Sequence, residues 1–295
     1  MLLKRPPANG FVTRFAPAPT GFLHLGHVAS AIAVWGVARA FGGRVLLRLE
    51  DHDQVRSRPE YEEAIIEDLH WLGFEPDEAP VRQSDRHSLY RDALHRLHAH
   101  GLVYACGCSR KTIERATGPS DGEIRYPGLC RDTPVDSAAE AARRVRMDRC
   151  TISFEDLRLG RIEQTPSDQC GDLLARDRLS HWTYQFAVVV DDLDQNVDLV
   201  IRGEDLLTST GRQIQLSELL GRPMPPAFLH HPLIVDATGS KLSKSRGDTA
   251  VRELRASGQN VEQVLGAAAV ALGLSQGEPV SHLELAARIK DAAVD

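Results

Sequence analysis

The sequence predicts an α/β fold built on a parallel sheet, with an irregular insertion and a short helical C-terminal segment. Three observations carry that expectation. A strand, a helix and a second strand follow one another within residues 10–49, strand-like and helical segments alternate again within 186–235, and only helical patterns follow residue 261. The 295 residues are ample for a packed core, and 42% hydrophobic with 26% charged residues exclude disorder as the main state. The longest apolar runs, such as Ala267–Leu272, fall far short of the roughly 20 residues that span a bilayer. The start MLLKRPPANG lacks a signal-peptide core, so no membrane partner and a cytoplasmic location are expected.

Gly10–Ala16 reads as a short buried strand, and Pro17, Pro19 and Gly21 break it into a rigid loop. Leu25, Val28, Ala29, Ile32, Val34, Trp35 and Ala38 have helical spacing, Gly42-Gly43 ends that helix, and Arg44–Leu49 is the next strand. Ligands of such a βαβ unit bind beyond the carboxyl ends of its strands, which makes the loop Pro17–Gly26 a candidate binding edge. Pro59 starts a helix that continues until Gly73, and a second runs from its expected cap, Ser84, to His100 with Gly101 as its stop, before a strand over Val103–Ala105. Residues 106–180, rich in Gly, Pro, Asp and Arg, show weak periodicity and are expected to be irregular. Strands are then predicted at Phe186–Val190, Val197–Ile201 and Phe228–Val235, with a helix over Thr208–Leu220 between the last two. Val261–Leu272 and His282–Ala293 read as the closing helices, and no internal repeat is present.

His24-Leu25-Gly26-His27 lies where the proline-rich loop becomes a helix, so two imidazoles and several backbone N–H groups face one volume suited to an anion. Gly26 is expected to let a ligand approach the backbone closely. Lys241-Leu242-Ser243-Lys244-Ser245, flanked by glycines, reads as a loop whose cations close over a polyphosphate. Cys106, Cys108 and Cys130 supply three of the four thiolates of a closed zinc site, with water, Cys150 or Cys170 open as the fourth ligand. Five cysteines is an odd number, which argues against a disulfide framework and for a reducing compartment. The formal charge of −6 argues against coating by nucleic acid and requires a local positive groove. Arg110, Lys111, Arg115, Arg125, Arg131, Arg143, Arg144 and Arg146 are the candidates for phosphate contact. His230-His231 reads as a packed strand end.

Together, HLGH and KLSKS resemble the HIGH and KMSKS signatures of class I aminoacyl-tRNA synthetases. RFAPAPTGFLHLGH, RLED at Arg48–Asp51, TYQFAVVVDD at Thr183–Asp192 and IRGEDLL at Ile201–Leu207 resemble the glutamyl branch over roughly residues 11–250. The resemblance implies a Rossmann-like class I synthetase catalytic domain in two halves, residues 1–105 and 181–250. Between them it implies a zinc-bearing, RNA-contacting insertion over 106–180, and after them a helical segment over 251–295. Only about 50 residues follow Ser245, too few for the long anticodon-binding region of full-length members. The likeness therefore narrows to the truncated, cysteine-bearing members that attach glutamate to queuosine in the anticodon loop of tRNA(Asp).

That likeness implies ATP with Mg²⁺, L-glutamate and queuosine-containing tRNA(Asp) as partners of a monomer. It places His24, Gly26, His27 and Lys244 on ATP, with His24, His27, Lys241 and Lys244 as the catalytic groups. It places Arg14, Ala16, Ala18, Glu50, Tyr184 and Arg202 around glutamate. Arg14 would grip the side-chain carboxylate, Arg202 would add a second guanidinium, and Glu50 would pair with the ammonium. Ala18 departs from the serine common in the family, and Val188 stands where discriminating members tend to carry asparagine. Tyr126 matches a tyrosine ligand that completes, with Cys106, Cys108 and Cys130, one structural zinc site per chain. Competing readings are a short glutamyl-tRNA synthetase charging a tRNA 3′ end, a small-molecule nucleotidyltransferase of the same superfamily, and a catalytically silent tRNA-binding paralogue.

Overall fold

The computed structural model describes residues 3–6, 10–53, 55–118, 123–133, 135, 141–233 and 249–294. After a two-residue strand, β1 (Leu3–Lys4), the first half begins with β2 (Val12–Phe15), α1 (Leu25–Phe41) and β3 (Arg44–Leu49). The two longer strands pair in parallel from Val12↔Arg44 to Phe15↔Leu47. Helix α1 buries Val28, Ala29, Ile32, Val34, Trp35 and Val37 among others around its whole circumference, as befits an apolar helix at the centre of a core. It stops at Gly42, which takes the left-handed conformation at φ 72°. Next come α2 (Pro59–Trp71), β4 (Val81–Arg82), parallel to β3, and α3 (His87–Ala99). Ser84 does not cap α3. Its amide (2.8 Å) and hydroxyl (2.5 Å) both donate to Asp51 within a 3₁₀ turn over Gln83–Arg86, which moves the N-cap two residues on, to Arg86.

The segment expected to be irregular is instead rich in short elements. These are β5 (Val103–Cys106), α4 (Arg110–Thr117), β6 (Ala142–Val145), β7 (Ile152–Asp156), β8 (Gly160–Gln164), α5 (Pro166–Gln169) and β9 (Leu173–Arg176). β5, β6 and β9 form an antiparallel sheet. Strands this short, with buried arginines such as Arg144 in β6, carry almost no alternation for a sequence reading to catch.

The strand expected at Phe186–Val190 is a helix, α6 (Tyr184–Asp194). Its run of three valines has strand propensity, yet residues Phe186–Asp192 are all buried, and burial on every face outweighs a weak local preference. Then follow β10 (Leu199–Gly203), a 3₁₀ turn over Glu204–Ser209, α7 (Thr210–Leu219) and β11 (Ala227–His231). Val235, the expected end of β11, lies outside the described residues. The tail holds α8 (Val251–Ala256), α9 (Val261–Ala269), α10 (His282–Asp291) and β12 (Ala293–Val294), which pairs in parallel with β1. No helix among the described residues is long and apolar enough to cross a membrane.

β10, β11 and β7 pair in parallel, with β8 antiparallel at the edge. Beside β10 runs β2: the Asp198 amide donates to the Val12 carbonyl at 2.8 Å, and the Val12 amide donates to the Asp198 carboxylate at 3.1 Å. Successive strands therefore leave β2 towards β3 and β4 on one side and leave β10 towards β11 on the other. The gap beyond the carboxyl ends of β2 and β10 is a topological switch point, where open α/β sheets bind ligands.

Candidate active site

The amino end of α1 is built by its two histidines. His24 is the N-cap, its Nδ1 accepting the Gly26 amide at 3.0 Å, and the Nδ1 of His27 accepts the His24 amide at 3.1 Å. This reciprocal pair brings the ring centroids to 3.9 Å. Because each Nδ1 accepts, the hydrogen-bond network assigns the proton of each neutral ring to Nε2. A Cβ on residue 26 would lie 2.7 Å from the His24 ring, so glycine makes room for that imidazole, and its amide is committed to it. Glycine at 26 thus has a role in the cap of α1 itself.

At the switch point a cavity of about 310 Å³ is lined by Arg14, Ala16, Glu50, Tyr184 and Arg202, together with His27 and Ser30. β2 supplies Arg14, the end of β3 supplies Glu50, the first turn of α6 supplies Tyr184, and β10 supplies Arg202. Ala18 does not line it, and its carbonyl accepts the Thr20 amide at 2.8 Å. Val188 is buried in the core of α6, away from the cavity. A larger cleft of about 810 Å³ lies at the opposite, amino ends of the strands, beside Phe11, Asp198 and Ala227, and contains none of the expected site residues.

The charged groups of the cavity wall are buried. Arg14 bonds Asp192 at 3.1 Å and the Ile201 carbonyl at 3.2 Å. The fully buried Arg48 bonds the same Asp192 at 2.7 Å and Gln195 at 2.7 Å. Burial opposes the charge on Asp192, but Arg14 and Arg48 outweigh it and hold the carboxyl below its usual range. Burial pushes the Glu50 carboxyl up to about 7, against the pull of Arg48 and Arg14. Burial likewise raises Tyr184, helped by Glu50, and lowers Arg202. Asp191, next to Asp192, accepts from Gln83 (2.7 Å), Arg86 (2.7 Å) and Tyr90 (2.9 Å) and so ties α6 to α3.

Sequence reasoning missed this support. Two adjacent aspartates closing the apolar run of TYQFAVVVDD were the available signal, since such charges are buried only when paired. His230, expected to be a packed strand end, is fully buried there, but its ring bonds Asp156 at 2.7 Å and Arg202 at 3.1 Å.

Lys241 and Lys244 lie outside the described residues. Both flanks of the 234–248 segment, however, are fastened to the amino end of α1. His231 Nε2 lies 3.1 Å from Ser30 Oγ on one side. On the other, Ala250 pairs with His24 and the Val251 amide donates to the Leu23 carbonyl at 2.8 Å.

The sulfurs of Cys106, Cys108 and Cys130 lie within 4.8 Å of one another. Cys108 and Cys130 are 3.5 Å apart, and the Tyr126 hydroxyl lies 3.4 Å from Cys106 Sγ. A tetrahedral zinc–thiolate site has sulfur–sulfur edges of about 3.8 Å, so the cluster can hold a metal ion. Burial and the neighbouring sulfurs push the Cys108 thiol up to about 12, the behaviour of thiols crowded without a cation. Neither Cys150, exposed beside Gln215, nor Cys170, which donates to Pro166, belongs to the cluster.

Arg144 is withdrawn from the candidates for phosphate contact. It is 7% exposed, its Nε lies 3.4 Å from Cys106 Sγ, and its guanidinium carbon sits 3.7 Å from the Tyr126 ring centroid. Arg131 pairs with Asp172 and Arg146 with Asp132, while Arg110 pairs with Glu114 on the surface of α4.

The family model described as tRNA synthetases class I (E and Q), catalytic domain, matches residues 11–285. The chain belongs to that family. A glutamyl-Q tRNA(Asp) synthetase of Rhodobacter capsulatus is 44% identical over 266 residues, 84% of this chain and 95% of its own. One from Pseudomonas syringae pv. tomato is 43% identical over 270 residues, 88% of each chain. The solved glutamate tRNA ligase of Elizabethkingia meningosepticum superposes with TM-score 0.79 at 26% identity. That match covers 94% of this synthetase and 64% of the ligase. Methionyl-tRNA synthetase of Mycobacterium tuberculosis shares the fold, at TM-score 0.58 and 16% identity. This synthetase is a ligase of the aminoacyl-tRNA synthetase type with a class I catalytic fold.

Proposed function

We propose that this synthetase uses ATP to activate L-glutamate as glutamyl-adenylate and attaches the glutamate to queuosine in the anticodon loop of tRNA(Asp). The observation that carries the reading is the one cavity in which two buried guanidiniums, Arg14 and Arg202, share a wall with Glu50 beside His27. An amino acid with an acidic side chain complements that charge pattern. Arg14 and Arg202 take the side-chain carboxylate, Glu50 takes the ammonium, and Tyr184 and Ala16 border the substrate. The α-carboxylate is left to face the end of α1.

In the first step an α-carboxylate oxygen attacks the α-phosphorus of ATP, and pyrophosphate leaves with the electrons of the broken P–O bond. Nε2–H groups of His24 and His27, Lys244 and its neighbour Lys241 stabilise the charge on the phosphate oxygens. Gly26 serves ATP by letting His24 fold back into its cap. Mg²⁺ carried by ATP neutralises phosphate charge. In the second step a queuosine hydroxyl oxygen bonds to the acyl carbon, the acyl–phosphate C–O bond breaks, AMP leaves with that electron pair, and the hydroxyl proton passes to solvent. Residues 1–105 and 181–250 supply the catalytic halves, 106–180 meets RNA, and 251–295 packs the helical end. Cys106, Cys108, Cys130 and Tyr126 hold one structural zinc, and such a closed site leaves no position for substrate. The queuosine acceptor is supported by the names of the relatives and by the acceptor those names imply.

The test is transfer of labelled glutamate from purified protein, ATP and Mg²⁺ to queuosine-containing tRNA(Asp), unmodified tRNA(Asp) and tRNA(Glu). Label on the queuosine-containing tRNA alone, abolished by Lys244→Ala, is the expected result. Label on tRNA(Glu) makes the protein a minimal charging enzyme. Glutamate-dependent pyrophosphate exchange without label on any tRNA refutes the acceptor and keeps the activation step.

A further inference from the structure

Arg202 is 4% exposed, and its guanidinium is held by neutral acceptors. Its Nε donates to His230 Nε2 at 3.1 Å, one terminal nitrogen to Gln213 Oε1 at 2.6 Å, and the other to Thr210 Oγ1 at 2.8 Å. Three of its five N–H groups are thereby committed, and the Tyr184 side chain, which also lines the cavity, is a further neutral hydrogen-bond partner. Among the described residues no carboxylate lies within ion-pair distance of it, whereas Arg14 and Arg48 share Asp192. A buried cation with only neutral partners is costly until an anion arrives, and Arg202 lines the cavity.

What keeps this guanidinium in place is a second buried layer. His230 can accept from Arg202 only while its proton is on Nδ1, and that nitrogen meets Asp156 Oδ2 at 2.7 Å. The Asp156 carboxylate is itself fixed by the amides of Arg158 (3.0 Å), Leu159 (2.9 Å) and His230 (3.0 Å). Asp156 and His230 are both fully buried, on the neighbouring strands β7 and β11. The Thr210 hydroxyl, 3.2 Å from His230 Nε2, ties the same nitrogen to α7.

We propose that His230, oriented by Asp156, is the positioning residue that aims Arg202 at the side-chain carboxylate of the amino acid and so sets selection for an acidic side chain. The inference rests on the glutamate reading of this pocket. Asparagine at 230 can still reach Asp156 but leaves Arg202 Nε without an acceptor. Glutamine places its carbonyl oxygen where Nε2 was. With asparagine, Arg202 turns towards whatever acceptor remains, and its cavity-facing edge no longer meets the carboxylate squarely.

The experiment measures glutamate-dependent pyrophosphate exchange for the wild type, His230→Asn, His230→Gln and Asp156→Asn, with thermal melting of each. For His230→Asn the glutamate KM is expected to rise about tenfold or more, with the ATP KM within about twofold, as for loss of one charge-assisted contact. Glutamine as competitor is expected to inhibit that variant relatively better than the wild type. His230→Gln is expected to restore the glutamate KM to within about threefold. A purely structural role would lower the active fraction and leave both KM values in place. An unchanged glutamate KM in folded His230→Asn, or a glutamine variant no better than the asparagine one, overturns the proposal. If His230→Asn does not fold, Asp156→Asn carries the same expectation and the same refutation. A wild type without glutamate-dependent exchange defeats the reading of the pocket, whereas a wild type that exchanges normally beside unaffected variants defeats this inference alone.

Discussion

Burial lifts the Glu50 carboxyl to about 7, whereas in the unfolded chain such a group ionises near about 4.3. The folded state thus binds this proton more tightly, and stability from this group falls as pH rises from about 4.3 through 7. Glu50→Gln removes the fall. It is expected to be more stable than the wild type at pH 8, by at most about 4 kcal/mol, with the difference closing at pH 4. Urea unfolding at the two pH values checks it, and equal stability at pH 8 contradicts it. A carboxylate kept at a standing penalty is suited to a ligand ammonium that relieves it. Arg144 illustrates the opposite case: its polar bonds to Cys106 and the Asp172 carbonyl (2.9 Å) make it part of the scaffold. Arg144→Ala is expected to destabilise the protein by about 2–4 kcal/mol, whereas Arg143→Ala should stay within about 1 kcal/mol, as chemical denaturation can measure.

The start of α1 was the most legible element, because a proline-rich loop, a polar cap and an apolar helix each leave a local mark. The geometric role of its glycine was not legible, since it depends on how the His24 ring folds back. Gly26→Ala is expected to expel that ring from its cap, at about 1 kcal/mol in stability. Its effect on pyrophosphate exchange should be larger than its effect on melting, and a proportionate loss of both would sink this account. α6 was misread for a different reason. Valines at 188, 189 and 190 favour a strand locally, and only the neighbouring core decides that they form a helix. β6 was invisible because a four-residue strand with two arginines has no alternation to detect.

Across the whole molecule, the parallel arrangement could be anticipated because it follows from repeated strand–helix alternation, whereas the placement of β2 beside β10 involves residues far apart in sequence. The same distinction holds for the pocket. Arg14, Glu50, Tyr184 and Arg202 each stood out within a motif, but Asp156, Asp192 and His230 acquire their role only through contacts across the fold. The cysteine cluster and Tyr126 pack in a core of their own, separate from the one around α1. Removal of a bound metal by a chelator is therefore expected to abolish transfer to tRNA while leaving at least about half of the pyrophosphate exchange, and parallel loss of both activities would refute this separation.

Arg14 and Arg202 enter one cavity from strands that lie on opposite sides of the entire insertion. The pocket cannot exist in a nascent chain until β10 has emerged and docked, so a ligand of this site has nothing to hold in a partly made or partly folded protein. Such a ligand acts as a latch on the finished molecule: it slows unfolding in proportion to its concentration and leaves the rate of refolding unchanged.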